Sequence, residues 1–180
     1  MTDAGTIADP LPRAAAASRP ALRRTAGLAV VWAVVLGNAG AIVWLWVHGG
    51  NLHVTGSGEL LTSLARITGL VSAYLALIQV VLLARLPQLE RLVGFDKLTV
   101  WHRWNGHATI ELVVAHVVFS VWGYALMDKF SLGKEISTMI WGGVYPGMIV
   151  ATVGTGLLLA VVATSYVIVR RRLRYEWWYA

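Results

Sequence analysis

Four long apolar runs, at about residues 26–47, 60–84, 98–126 and 146–169, constrain this chain more than any other feature. A helix rising about 1.5 Å per residue needs roughly 20 apolar residues to cross the ~30 Å hydrocarbon core of a bilayer. Lipid offers no partner for backbone N–H and C=O groups, so a spanning segment of this kind must satisfy them internally as a helix. The expected fold is therefore an all-α, polytopic membrane helix bundle with four transmembrane helices. Composition agrees: 57% of the residues are hydrophobic and only 13% are charged, against about 45–50% and 25% in soluble domains.

Residues 1–22 are rich in Ala, Pro and Arg and lack apolar periodicity, so they are expected to form a disordered tail. Arg23-Arg24 before the first run matches the start of an export signal, yet a signal core is only about 7–15 residues long. The run from Ala26 to Val47 exceeds that, which predicts a retained helix. Pro146 suits the first turn of the last helix, where a missing N–H costs nothing. Leu86–Asp96 reads as a short loop with room for an interfacial helical turn.

The basic residues fix the expected orientation. Arg13, Arg19, Arg23 and Arg24 precede the first run, and Arg85, Arg91, Lys97 and Arg103 cluster around the second connection. Arg170, Arg171, Arg172 and Arg174 follow the last run, whereas the opposite side has only Lys129 and Lys134, beside Asp128 and Glu135. The positive-inside rule then places the N-terminus in the cytoplasm. Trp44, Trp46, Trp122 and Trp141 fall at the outer boundary, and Trp101, Trp104, Trp177 and Trp178 at the inner one, as amphipathic rings prefer. The net charge of +6 is thus a topology signal rather than a nucleic-acid footprint.

The chain has no cysteine, which excludes disulfides, cysteine-ligated clusters and covalently attached haem. It has five histidines, of which His102, His107 and His116 lie on the third span. At about 100° per residue, His102 and His116 fall roughly 40° apart on one face, about 21 Å apart along the axis. Gly106, Thr109 and Val113 lie between them, small or β-branched, with space for a flat group. Imidazole is a common axial ligand of haem iron, so one helix can offer a ligand near each membrane face. The alternative is helix packing, in which a membrane histidine hydrogen-bonds a neighbouring helix. His107 points to the other side and has Glu111 one turn on, an i,i+4 partner for a buried carboxylate. Arg66, two turns into the second span, either snorkels to the outer headgroups or supplies a cation for a haem propionate or an anionic oxygen intermediate. His48 and His53, in the first outer loop, read as solvated residues rather than metal ligands.

Trp101-His102-Arg103-Trp104-Asn105-Gly106, followed ten residues later by Ala115-His116-Val117, resembles the ferric-reductase-like transmembrane domain. This family takes in bacterial ferric reductases and the NADPH oxidases. Leu60-Leu61-Thr62-Ser63-Leu64-Ala65-Arg66 and Arg171-Arg172-Leu173-Arg174-Tyr175-Glu176 extend the likeness from about residue 26 to the end. The resemblance implies a six-helix bundle with two b-type haems, each held by one histidine from helix three and one from helix five. His102 would ligate the inner haem iron and His116 the outer one, with Arg66 beside the outer haem. FAD and NAD(P)H would occupy a cytoplasmic C-terminal region. Electrons would then leave to ferric iron or dioxygen outside.

Helix five is expected just where this sequence stops, at Trp178-Tyr179-Ala180. There is no second histidine pair and no Gly-rich nucleotide fingerprint in a strand–helix context. Residues 23–180 are accordingly expected to be the N-terminal four of six helices, a fragment of a multi-pass oxidoreductase of a bacterial cytoplasmic membrane. The expected partners are the lipid bilayer, haem and a flavoprotein domain or subunit, with no nucleic acid. Two alternatives stand beside it: a stand-alone haem-bearing subunit that needs a partner, and a non-enzymatic membrane protein with packing histidines.

Overall fold

In a computed structural model of the chain, residues 13–165 are described, with side chains from residue 22 onward. All elements are helical: α1 (Arg13–Trp46), extended by a π-type turn (Val47–Asn51), then α2 (Ser57–Leu83) and α3 (Pro87–Val93). α4 (Phe95–Asp128), α5 (Leu132–Trp141) and α6 (Met148–Ser165) follow. Among the described residues four stretches are long and apolar enough to span a membrane: Leu22–Asn51, Ser57–Leu83, Phe95–Asp128 and Met148–Ser165. The four-span, all-α expectation holds. The chain is a multi-pass membrane protein.

Three boundaries differ from the sequence reading. α1 begins at Arg13, inside the expected tail, where Ala14–Ala17 supplies strong helix formers. Pro146 stands before α6 rather than in its first turn. Met148 N–H bonds Tyr145 C=O at 3.2 Å, and Gly147 at φ +83° follows Pro146, as in a type II turn. The outer connection after α4 also contains a full helix, α5, whose Ser131 N-cap oxygen accepts from Lys134 N–H at 3.4 Å. The basic cluster Arg170–Arg174 and the expected inner anchor through Ala180 lie outside the described residues.

Below, "outer" denotes the end with residues 47–56 and 129–147, following the charge distribution, and "inner" the end with α3.

The core of the bundle is the antiparallel pair α2–α4. Gly58 and Thr62 meet Gly123 at the outer end, Ala65 and Gly69 meet His116 midway, and Gln79 meets His102 and Gly106 at the inner end. The α2 residues at this seam, Gly58, Thr62, Ala65, Gly69 and Ser72, alternate steps of four and three. That is a 3.5-residue period, which keeps one seam facing the partner over the full length. Small residues let the two backbones approach, which is how helices associate when lipid is as apolar as leucine. Polar groups lock the inner half: Asn105 Nδ2 donates to Leu75 C=O at 2.8 Å and to Gln79 Oε1 at 2.7 Å. Gln79 Nε2 in turn donates to His102 C=O at 3.0 Å.

α1 rests on this pair through few contacts. Tyr74 O–H donates to Val35 C=O at 2.9 Å, and Trp32 meets Trp101 edge-on at 5.6 Å. Arg24 Nε donates to Leu92 C=O at 2.9 Å, tying α1 to α3. α6 packs on α5. Among the described residues few apolar side chains are buried (Ala65, Val93, Leu98, Ala125 and Met139), while large ones such as Leu36, Leu77, Val150 and Leu157 are exposed. In water such a surface would drive association. In a bilayer it is the solvent-facing side.

Candidate functional site

The outer half of the α2–α4 pair holds His116 and Arg66 on the wall of one cavity. His116 turns its ring onto α2, where Nδ1 lies 2.7 Å from Ala65 C=O. A carbonyl only accepts, so Nδ1 carries the proton, and in the neutral ring Nε2 is then the nitrogen left to accept or to ligate. The ring has room because residue 69 is glycine: a Cβ there would stand 2.7 Å from Nδ1 and 2.9 Å from Cε1.

His116 borders an open cavity of about 530 Å³ whose wall includes Trp46, Asn51, Arg66, Gly69 and Ser72, with Ile42, Leu45 and Leu70 on its apolar side. That volume falls within the ~300–1,000 Å³ of small-molecule and cofactor sites. Arg66 stands one turn before Gly69 on α2, so the structure brings together the two residues the sequence singled out at this depth. Its Nη1 donates to Asn51 Oδ1 at 2.9 Å, toward the outer end. Among the described residues no carboxylate pairs with it.

A second cavity of about 280 Å³ opens beside the first, bounded by His53, Thr55, Glu59, Thr62, Arg66 and Met127. Arg66 and Asn51 belong to both walls. Glu59 Oε2 accepts from Thr55 N–H at 2.7 Å and from its hydroxyl at 2.8 Å, which closes the first turn of α2. His48 lies in the π-type turn rather than a loop, where it stacks on Trp44 at 4.3 Å and its Nδ1 bonds Trp44 C=O at 2.8 Å.

Two residues of this region escaped the sequence reading. Trp46 was placed at the outer interface, but its indole N–H is committed to Ser63 C=O at 3.1 Å. Asn51 is the last residue of the π-type turn. The π-type turn brings it back against α2, and Gly50, at φ +78°, takes the left-handed conformation the reversal requires. The only sequence signal was the run Gly49-Gly50-Asn51 directly after a span.

The small face between His102 and His116 does not stay open. Thr109 is 5% exposed, and a Cβ on Gly106 would lie 3.0 Å from Gln79 Nε2. α2 fills the space expected for a flat group, because a small-residue face in lipid buries most surface against another helix. His102 uses its backbone carbonyl in this packing and borders neither cavity. His107 Nδ1–H donates to Arg103 C=O at 2.7 Å rather than to Glu111, and both side chains of that expected pair are exposed. Among the described residues no three His, Asp or Glu side chains gather as a metal cluster.

Fold and site together define a multi-pass helical membrane protein with an intramembrane histidine and an arginine on the wall of one cavity. Residues 68–180 match the family described as ferric reductase like transmembrane component, and the chain belongs to that family, one of transmembrane electron-transfer modules. The match contains His102 and His116 and begins just after Arg66, a shorter span than the likeness from residue 26 suggested. No curated protein and no solved structure matches the chain.

Proposed function

We propose that the chain is the haem-binding membrane part of an oxidoreductase that carries electrons across the bilayer. The observation that supports this reading best is the state of His116. A histidine that ligates iron characteristically gives its other ring N–H to a carbonyl or carboxylate, which fixes tautomer and orientation. His116 has that arrangement through Ala65, and the residue lines a cavity of cofactor size. Arg66 on the same wall suits a propionate or other anionic oxygen. The residues fit the group.

When bound, haem supplies reversible one-electron chemistry. His116 would hold the iron through Nε2, Ala65 would keep the ring from rotating, and Arg66 would balance negative charge at the outer end. His102, about 21 Å away along α4 by helical rise, is proposed as the ligand of an inner haem. That half rests on spacing and family membership rather than on a cavity. The second axial ligands, and a flavin and nicotinamide donor on the cytoplasmic side, would come from a further domain or subunit. Ferric iron or dioxygen would be the outer acceptor.

The test is a dithionite-reduced minus oxidised spectrum of the protein purified from haem-supplied membranes, with pyridine haemochrome quantitation. The proposal expects a b-type spectrum that falls by at least half in His116→Ala. A folded, helical protein without a Soret band would sink it.

A further inference from the structure

Resting on the reading of the His116 cavity as a cofactor site, we propose that Asn51 is the positioning residue that aims the Arg66 guanidinium into that cavity while leaving its charge uncompensated.

Four hydrogen bonds define the role. Arg66 Nη1 donates to Asn51 Oδ1 at 2.9 Å, and Asn51 Nδ2 donates to Trp46 C=O at 2.7 Å. Ser63 Oγ donates to the backbone carbonyl of Asn51, and Trp46 Nε1 donates to Ser63 C=O at 3.1 Å. The amide therefore cannot turn over. Flipped, it would set its oxygen against Trp46 C=O and its NH₂ against a guanidinium, losing both bonds. The end of α1, the turn and α2 are cross-linked through one side chain.

The choice of an amide is informative. Arg66 is an exposed residue on a long flexible stem, which would otherwise reach for headgroups. An aspartate at position 51 would hold it as firmly but would neutralise it. An amide oxygen fixes direction without placing a carboxylate on the wall of the larger cavity, which has none; Glu59 lies on the wall of the smaller one. A fixed cation beside a redox centre favours the state with less positive charge, so it raises the reduction potential.

The experiment compares wild type, Asn51→Leu, Asn51→Asp, Arg66→Gln and the double variant Asn51→Leu/Arg66→Gln in detergent, each checked for helicity and haem content. Potentiometric titration should show the potential shifted down in Asn51→Leu, Asn51→Asp and Arg66→Gln. The double variant should shift no further than Arg66→Gln alone, since Asn51 acts through Arg66. Unchanged potentials in both Asn51 variants beside a shifted Arg66→Gln, or full additivity in the double variant, would overturn the proposal. Should wild type take up no haem, the cofactor reading fails, and phenylglyoxal labelling of Arg66 read by mass spectrometry still decides the positioning claim. Labelling at least twofold faster in Asn51→Leu than in wild type supports it, and equal rates overturn it.

Discussion

His116 packs so tightly on Gly69 that a methyl group at residue 69 would stand 2.7 Å from its Nδ1. Ring and glycine form a lock that also sets the hydrogen bond to Ala65 at 2.7 Å. Gly69→Ala is therefore expected to push the ring off that carbonyl, since a planar side chain wedged between two helices has no flexible end to yield. Overpacking of this kind costs about 1–3 kcal/mol. Gly37→Ala and Gly40→Ala are the controls, because a Cβ at either site meets nothing within 4 Å. Each should be neutral or gain up to about 1 kcal/mol, the helical advantage of alanine over glycine. Thermal unfolding in detergent, read beside haem content, separates the two cases.

Gly123 makes a second contact of this kind, with a harder neighbour. A Cβ there would lie 2.8 Å from Thr62 Cγ2, 2.9 Å from Thr62 N and 3.1 Å from Gly58 C=O. Two of these atoms are backbone, so relief requires the helices to part. At Gly106 the nearest atom is the flexible end of Gln79, at 3.0 Å. Gly123→Ala should thus destabilise by about 1–3 kcal/mol or more, and Gly106→Ala by less. Equal losses, measured as melting temperatures in the same detergent, would contradict this account of the seam.

The Gln79–Asn105 pair gives a smaller and additive-looking effect unless it is measured as a cycle. Both side chains also bond backbone carbonyls, of His102 and Leu75 respectively. Polar contacts between membrane helices average about 0.6 kcal/mol and reach about 1.7. Gln79→Leu and Asn105→Leu should each cost about 1 kcal/mol by that scale, and the double variant less than their sum. Strict additivity in a double-mutant cycle of unfolding free energies would mean that the 2.7 Å side-chain contact contributes nothing.

The spans were legible because hydropathy over 20 residues has one solution in lipid. His116 and Arg66 were legible because polar groups at that depth are rare and need a reason. What the sequence hid was the use made of small residues. Gly106 and Thr109 have the same composition whether they face a cofactor or another helix, and only the matching stripe Gly58–Thr62–Ala65–Gly69 on α2 decides for the helix. Asn51 and Trp46 were hidden for a different reason, since the turn that folds them back depends on Gly50 and on bonds to Ser63, twelve or more residues away. In place of the expected His107–Glu111 pair, His107 Nδ1 donates to the Arg103 carbonyl one turn back, and both side chains are exposed, so neither needs the other as a buried partner. α5 is too short and too mixed in polarity to register as a span.

Glu135 on α5 makes the stability of the outer connection depend on pH. It is 1% exposed, its Oε2 has no partner, and the nearest cation on its own helix, Lys134, sits over the Phe130 ring at 3.6 Å. Burial pushes its carboxyl above the ordinary value of 4.5, and the charge of Asp128 adds to the shift. The folded protein then binds a proton that the unfolded chain releases first. Stability from this site is complete below the unfolded value and declines as pH rises through the raised folded one. Raising pH from about 4.5 should lower the melting temperature of the wild type. It should also speed hydrogen exchange in α5, whose buried face is Glu135 and Met139. Beside this patch the Tyr145 and Tyr124 rings lie 5.6 Å apart, and burial raises Tyr145 as well. Glu135→Gln and Glu135→Met should flatten the dependence. Glu135→Met should also match or exceed wild-type stability near neutral pH, because it removes an unpartnered carboxylate from an apolar contact. A wild-type pH slope that survives in both variants would place the titrating group elsewhere.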